Sequence, residues 1–231
     1  MLRLAYAAFK QWVKFREGSM LEQPLKFFVV FFVVVEPISL VPLFSGLTRG
    51  ATREYQRRMA VKAVWVAALI LVLFALAGAP FLAVMGISLA AFRIFGGVLL
   101  FLLALEMVFA RESGSRTSSD ERAESRRRAD ISVFPVAFPF IAGPGALATV
   151  LLWFGPVHML REPALFLILL AAAALVLAIS LVMMLLAEPL MRLMGVTGVN
   201  VTGRLLGVVL GALAVQFVID GLRAAFLVKL G

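Results

Sequence analysis

Six stretches, each about the 20 apolar residues needed to cross ~30 Å of hydrocarbon, dominate this chain and leave almost no other way to fold it. They run from Phe27 to Thr48, from Ala63 to about Met85, from Ala90 to Ala110, within Ile131 to Leu160, from Ala164 to Ala187 and from Gly203 to Leu222. At 63% hydrophobic and 15% charged residues, the chain is far from the composition of soluble domains. The runs are too long and too uniformly apolar for a membrane barrel, whose strands alternate, and backbone satisfaction in lipid then requires helices. The expected fold is an all-α integral membrane protein with six transmembrane helices.

Composition also removes chemistry. No cysteine and a single histidine, His158, exclude disulfides, thiolate clusters and multi-histidine metal sites, so neither a metal nor a cofactor is expected. The net charge of +9 sits between apolar blocks, which points to topology and membrane lipid rather than to nucleic acid. No GxxxxGK[ST] motif occurs, so any driving force comes from a gradient or another subunit. No paired acid–base or nucleophile constellation is present, and the chain is not expected to be an enzyme.

Four regions follow. Residues 1–26 place Leu2, Tyr6, Phe9 and Val13 on one helical stripe and Arg3, Lys10 and Lys14 on another, a basic amphipathic segment for the membrane surface rather than a cleaved leader. Residues 27–110 hold three spans, residues 111–130 form a hydrophilic loop, and residues 131–231 hold three more. The halves resemble each other: Ala79 to Ser88 (APFLAVMGIS) aligns without gaps to Glu188 to Thr197 (EPLMRLMGVT), Arg93 to Gly96 faces Arg204 to Gly207, and Pro37 faces Pro144, all at a spacing of about 110 residues. With an odd number of spans in each half, the second half enters from the opposite side, which gives two inverted three-helix repeats with broken helices 1 and 4 and a site near the midplane. The bases at Arg49, Arg53, Arg57, Arg58 and Lys62, with those of the hydrophilic loop, favour an outside N-terminus.

The equivalent breaks are Glu36-Pro37-Ile38-Ser39 in span one and Ala142-Gly143-Pro144-Gly145 in span four. Each proline removes an amide donor and frees backbone groups, which are tolerated in a bilayer only beside protein or water. Glu36, Pro37, Ser39, Gly143, Pro144, Gly145 and Thr149 are accordingly the candidate substrate-binding residues. Ionisable groups inside spans are costly and mark pathways or pairs, so Glu36, Glu106 and Asp220 are the candidates for ion coupling. Glu36, directly before the first break, can take up a proton and carry it with a substrate, or can pair with Arg93 or Arg204. Glu106 and Asp220, near span ends, fit an interfacial position as well. Thr149 and Ser39 are equally placed for interhelical hydrogen bonds, and Gly96, Gly97, Gly203, Gly207 and Gly211 follow a packing spacing.

EPISLVPLF, RIFGGVLLFLLALEMVF, VFPVAFPFIAGPGALATVLL and RLLGVVLGALAVQFVIDGL resemble the MarC family of six-span inner-membrane proteins over about residues 22 to 228, the AGPG segment being the most specific part. The resemblance implies broken first and fourth helices meeting at the centre of the molecule. It also implies a secondary transporter for small neutral amino acids such as glycine and alanine, working by alternating access and coupled to protons or sodium. Where the family commonly has Asn-Pro or Asp-Pro followed by glycine, this chain has Glu36-Pro37 and Ser39. A channel and a non-transporting membrane scaffold are the alternative readings, and a homo-oligomer is compatible with either.

Overall fold

The computed structural model describes residues 22–109, 130–157, 159 and 162–227. The amphipathic stripe of residues 2–14, His158 and almost all of the hydrophilic loop lie outside them. Eight helical segments follow in order: α1 (Glu22–Val35), α2 (Leu40–Leu47), α3 (Arg53–Val84), α4 (Leu89–Phe109), α5 (Ser132–Ile141), α6 (Pro144–Phe154), α7 (Pro163–Leu185) and α8 (Ala187–Leu227). Five helical stretches are long and apolar enough to cross a membrane, and the bent pair α5–α6 makes a sixth.

Helix boundaries depart from the apolar runs where capping and turn chemistry take over. The first span begins at Glu22 rather than Phe27, because Lys26 pairs with Glu22 one turn earlier at 2.5 Å and joins the helix. α3 begins ten residues before Ala63: Thr52 accepts the Tyr55 amide at 3.3 Å and caps a polar first turn. At 32 residues it is about 48 Å long, so its basic start extends beyond the ~30 Å hydrocarbon core. The last span runs from Val201 to Phe226 and follows a further helical stretch from Ala187, with a kink at Gly195. Gly195 (φ +63) and Gly86 (φ +69), which the internal alignment matches, both take the left-handed conformation that glycine adopts freely.

Span four is a bent pair. Within α5, Val136 donates to Ile131 and Ala142 to Ala137, turns one residue wider than an α-helix. The cause is local: Phe134 and Phe138 each precede a proline, which pushes them into extended backbone (φ/ψ −126/127 and −130/129). α5 and α6 then meet at a bend of 55°.

The most extensive helix pair is α4 against α8, running antiparallel. Gly97 lies against the Ala214 carbonyl and Val218, Gly207 against Met107 and Ala104, and Gly221 against Ile94. Small residues let the backbones approach, the packing expected where apolar lipid gives no hydrophobic gain. α1–α2 is the central element. Its span is 61% buried, against 22% for those of α4 and α8, and Phe27, Phe31, Val35, Leu40, Val41 and Phe44 are enclosed by protein. A charge in this span therefore meets protein rather than lipid.

Candidate functional site

The first break begins where α1 ends at Val35. Glu36 takes φ +55, a left-handed conformation rare for a residue with a side chain. It is 5% exposed. Its amide still reaches the Phe32 carbonyl at 2.9 Å, its own carbonyl accepts the Ser39 amide at 3.0 Å, and its carboxylate Oε1 accepts the Ser39 hydroxyl at 2.5 Å. On the far side Oε1 faces Gly203 of α8, 3.3 Å from where a Cβ would stand. Pro37 is buried behind this turn, and α2 resumes at Leu40.

The second break has a different chemistry. Gly143 caps α6 in extended backbone, and Pro144 occupies its first position, where a missing amide costs no helical bond. The amides of Gly145 and Ala146 have no partner within the helix and form its positive end. A Cβ on Gly143 would run into the Pro139 carbonyl, and one on Gly145 would come within 3.1 Å of Leu100 and 3.2 Å of Val34. Val34 is two residues before Glu36, so the two breaks meet through this contact. A groove of about 120 Å³ opens here, lined by Val34, Leu99, Leu102, Leu103, Pro139 and the turn from Gly143 to Ala146.

The other predicted residues divide. Thr149 is fully buried, and its hydroxyl donates back to the Gly145 carbonyl at 2.9 Å, a bond that ties it to its own helix. Glu106 is half-buried on α4 and continues, at helical spacing, the stripe of Leu99, Leu102 and Leu103 that lines the groove. Asp220 is not brought to the breaks. It accepts Gln216 Nε2 at 2.9 Å, has Arg223 at 4.0 Å, and lies about 26 Å along α8 from Gly203.

Two features escaped the sequence reading. Gly203, whose spacing in the sequence points only to packing, borders the Glu36 carboxylate. At the loop end of the bundle, Asp130 accepts Lys62 Nζ of α3 at 2.5 Å and the Ser132 amide and hydroxyl at 2.9 and 2.5 Å. The lysine contact, then the two serine bonds, hold the Asp130 carboxyl down at about 2. Burial, and then the Asp130 charge, push the nearby Tyr55 hydroxyl up. This clamp pins the start of α5 to α3. Close by, Gln56 reaches the Thr48 carbonyl at 3.5 Å and Glu188 at 3.1 Å.

These features define a polytopic α-helical membrane protein with interrupted spans meeting inside the bundle. The chain matches the model of the MarC family, "MarC family integral membrane protein", over residues 21–226, and it belongs to that family. It is 36% identical over 200 residues to a UPF0056 membrane protein of Aquifex aeolicus, covering 86% of this chain and 92% of that one. It is 31% identical over 201 residues to the UPF0056 membrane protein YhcE of Escherichia coli (87% and 92% covered). A further relative, UPF0056 membrane protein MJ0972 of Methanocaldococcus jannaschii, is 31% identical over 195 residues (84% of each). No solved structure matches the chain.

Proposed function

We propose that the chain is a secondary transporter of the inner membrane that moves a small neutral amino acid of the glycine or alanine type by alternating access. The observation that carries this reading is the meeting of two unlike helix breaks: a buried carboxylate, Glu36, ends one, and the amides of the α6 N-terminus, without partners inside their helix, begin the other, with Val34 against Gly145 between them. Amide-rich helix starts hold carboxylates, and unwound helix ends hold coupling cations or protons, in carriers built from inverted repeats. The groove of about 120 Å³ is well above the ~15 Å³ that admits one water, room for a solute of a few heavy atoms.

In this reading the repeats are two inverted three-helix units, 27–110 and 131–231. The matched left-handed glycines Gly86 and Gly195 and the antiparallel α4–α8 pair support it. Substrate contacts come from Glu36, Pro37, Ser39, Gly143, Pro144 and Gly145, and Thr149 shapes the helix behind them. Coupling, to protons or sodium, runs through Glu36 with Glu106 nearby on the groove stripe. Membrane lipid surrounds the bundle, and no chemical turnover is assigned to it.

The test is counterflow. Liposomes holding the purified protein and preloaded with unlabelled alanine should take up labelled alanine transiently above equilibrium. A channel gives flux without that overshoot, and a scaffold gives none; either result overturns the proposal.

A further inference from the structure

One face of the last span carries a group that lipid does not satisfy. Arg204 and Arg223 are exposed on α8 and lie about 28 Å apart along its axis, close to the ~30 Å of hydrocarbon that such residues flank. Gln216 stands between them, exposed, about 10 Å inward from the level of Arg223. α8 packs on α4 through Gly207, Ala214, Val218 and Gly221, and Gln216 lies about 200° around the helix from Ala214, so it faces away from α4.

An amide offers two N–H donors and a carbonyl acceptor. One donor of Gln216 is used, Nε2 to Asp220 Oδ1 at 2.9 Å. Among the described residues nothing else bonds to this amide, and acyl chains have no hydrogen bond to give it. The fold does not ask for a polar residue here. When Arg93 and Gly96 are aligned with Arg204 and Gly207, the place of Gln216 falls to Leu105, which is 37% exposed on α4.

The residues around Gln216 identify what covers it. Leu205, Val209, Ala212, Gln216 and Ile219 follow one another at alternating steps of four and three, the spacing of a seam between two helices. All five are exposed, so no described part of the chain fills this seam. Ala212, one turn before Gln216, is small enough for a second helix to come close. We infer that this seam is the contact of a parallel homodimer, in which Leu205, Val209, Ala212 and Ile219 pack against their counterparts and the two Gln216 amides bond to each other. A second copy inserted in the same orientation, related by a two-fold axis along the membrane normal, brings the same seam to the same depth. The amide is its own complement: each Gln216 donates its second N–H to the carbonyl of the other, while Asp220 holds the first N–H and orients the group. A single polar position in an apolar seam also fixes register, because any slip parts the two amides. The contact is independent of the carrier reading.

The test measures association in liposomes of phosphatidylethanolamine and phosphatidylglycerol. Full-length chains carrying donor or acceptor dyes at the C-terminus are followed by energy transfer as the protein-to-lipid ratio is lowered. Dimers are expected that dissociate on dilution, with the midpoint moved to about tenfold higher protein-to-lipid ratio in Gln216→Leu, which installs the residue of the first half. The chain has no cysteine of its own, so introduced ones report alone. Ala212→Cys should cross-link between copies under oxidation, whereas Leu73→Cys, at a position 54% exposed on α3, should not. Monomers at every ratio, a wild-type midpoint in Gln216→Leu, or equal cross-linking at the two cysteine positions would overturn the dimer. The cysteine pair decides the matter even if Gln216→Leu fails to fold.

Discussion

The two interruptions occupy matching places in the halves of the chain, each with a proline at its centre, and solve the same backbone problem with opposite charge. At the first, a helix ends and the next residue is a glutamate forced into left-handed backbone, so negative groups collect: the last helix carbonyls and a carboxylate. At the second, a helix begins behind Gly143-Pro144-Gly145, so positive amide ends collect and no acid is present. The lesson is that a proline just past a helix end and a proline at a helix start leave backbone groups of opposite character. Glu36 stands where the second half of the chain has Gly143, and only the glycine is required by its surroundings, since a Cβ there would meet the Pro139 carbonyl.

Substitutions that exchange the character of the two positions should expose that difference. The largest effect on stability is expected from Gly143→Ala, whose new Cβ collides with the Pro139 carbonyl; overpacking of this kind costs about 2–3 kcal/mol, visible as a fall in the unfolding midpoint. Next comes the frame that holds both breaks. Gly207→Ala places a Cβ 2.8 Å from that of Met107 and 3.1 Å from the Ala104 carbonyl, and should cost about 1–2 kcal/mol. Gly46→Ala, with nothing within 4 Å, is its near-neutral control.

At the first break the sign reverses. Glu36→Gly removes a side chain from left-handed backbone and should stabilise the fold by about 1 kcal/mol. A destabilised Glu36→Gly would mean that the carboxylate holds the bundle together and would break the comparison.

The smallest effect belongs to the clamp at the foot of α5. Its partners are 49% and 43% exposed, so solvent screens them, and Lys62→Met should cost no more than about 0.5–1 kcal/mol. The Asp130 carboxyl is lowered to about 2 from its ordinary value near 3.9. Its contribution is therefore fully present above about pH 4 and is lost as pH falls toward 2, and Lys62→Met should flatten that part of an acid-unfolding profile.

Much of this arrangement was legible in the sequence, for reasons that differ by feature. Spans are a count of apolar residues against a fixed bilayer thickness, so α4 and α7 lie within a residue or two of their expected limits. Breaks were legible because proline cannot donate, and the matched MGIS and MGVT stretches fall on the two left-handed glycines. The start of α3 was not, because a polar first turn reads as loop until its Thr52 cap is seen. Nor was the stretch of α8 before Gly195, where Glu188, Pro189 and Arg192 interrupt the apolar run and hid a helix. Lys62 and Asp130 are 68 residues apart, and Gly203 reaches Glu36 only through tertiary packing. Neither pairing has a local signature. Asp220 already differed from Glu36 in sequence by lying near the end of its apolar run, and the length of α8 keeps it about 26 Å from Gly203.

Gradient-driven uptake of labelled alanine into liposomes, run beside counterflow in the same preparations of wild type and Glu36→Gln, tests the division of labour between the breaks most directly. The account predicts that Glu36→Gln loses accumulation against a gradient while keeping counterflow exchange, because the amide end at Gly143-Pro144-Gly145 is intact. Undiminished gradient-driven accumulation in Glu36→Gln would contradict it.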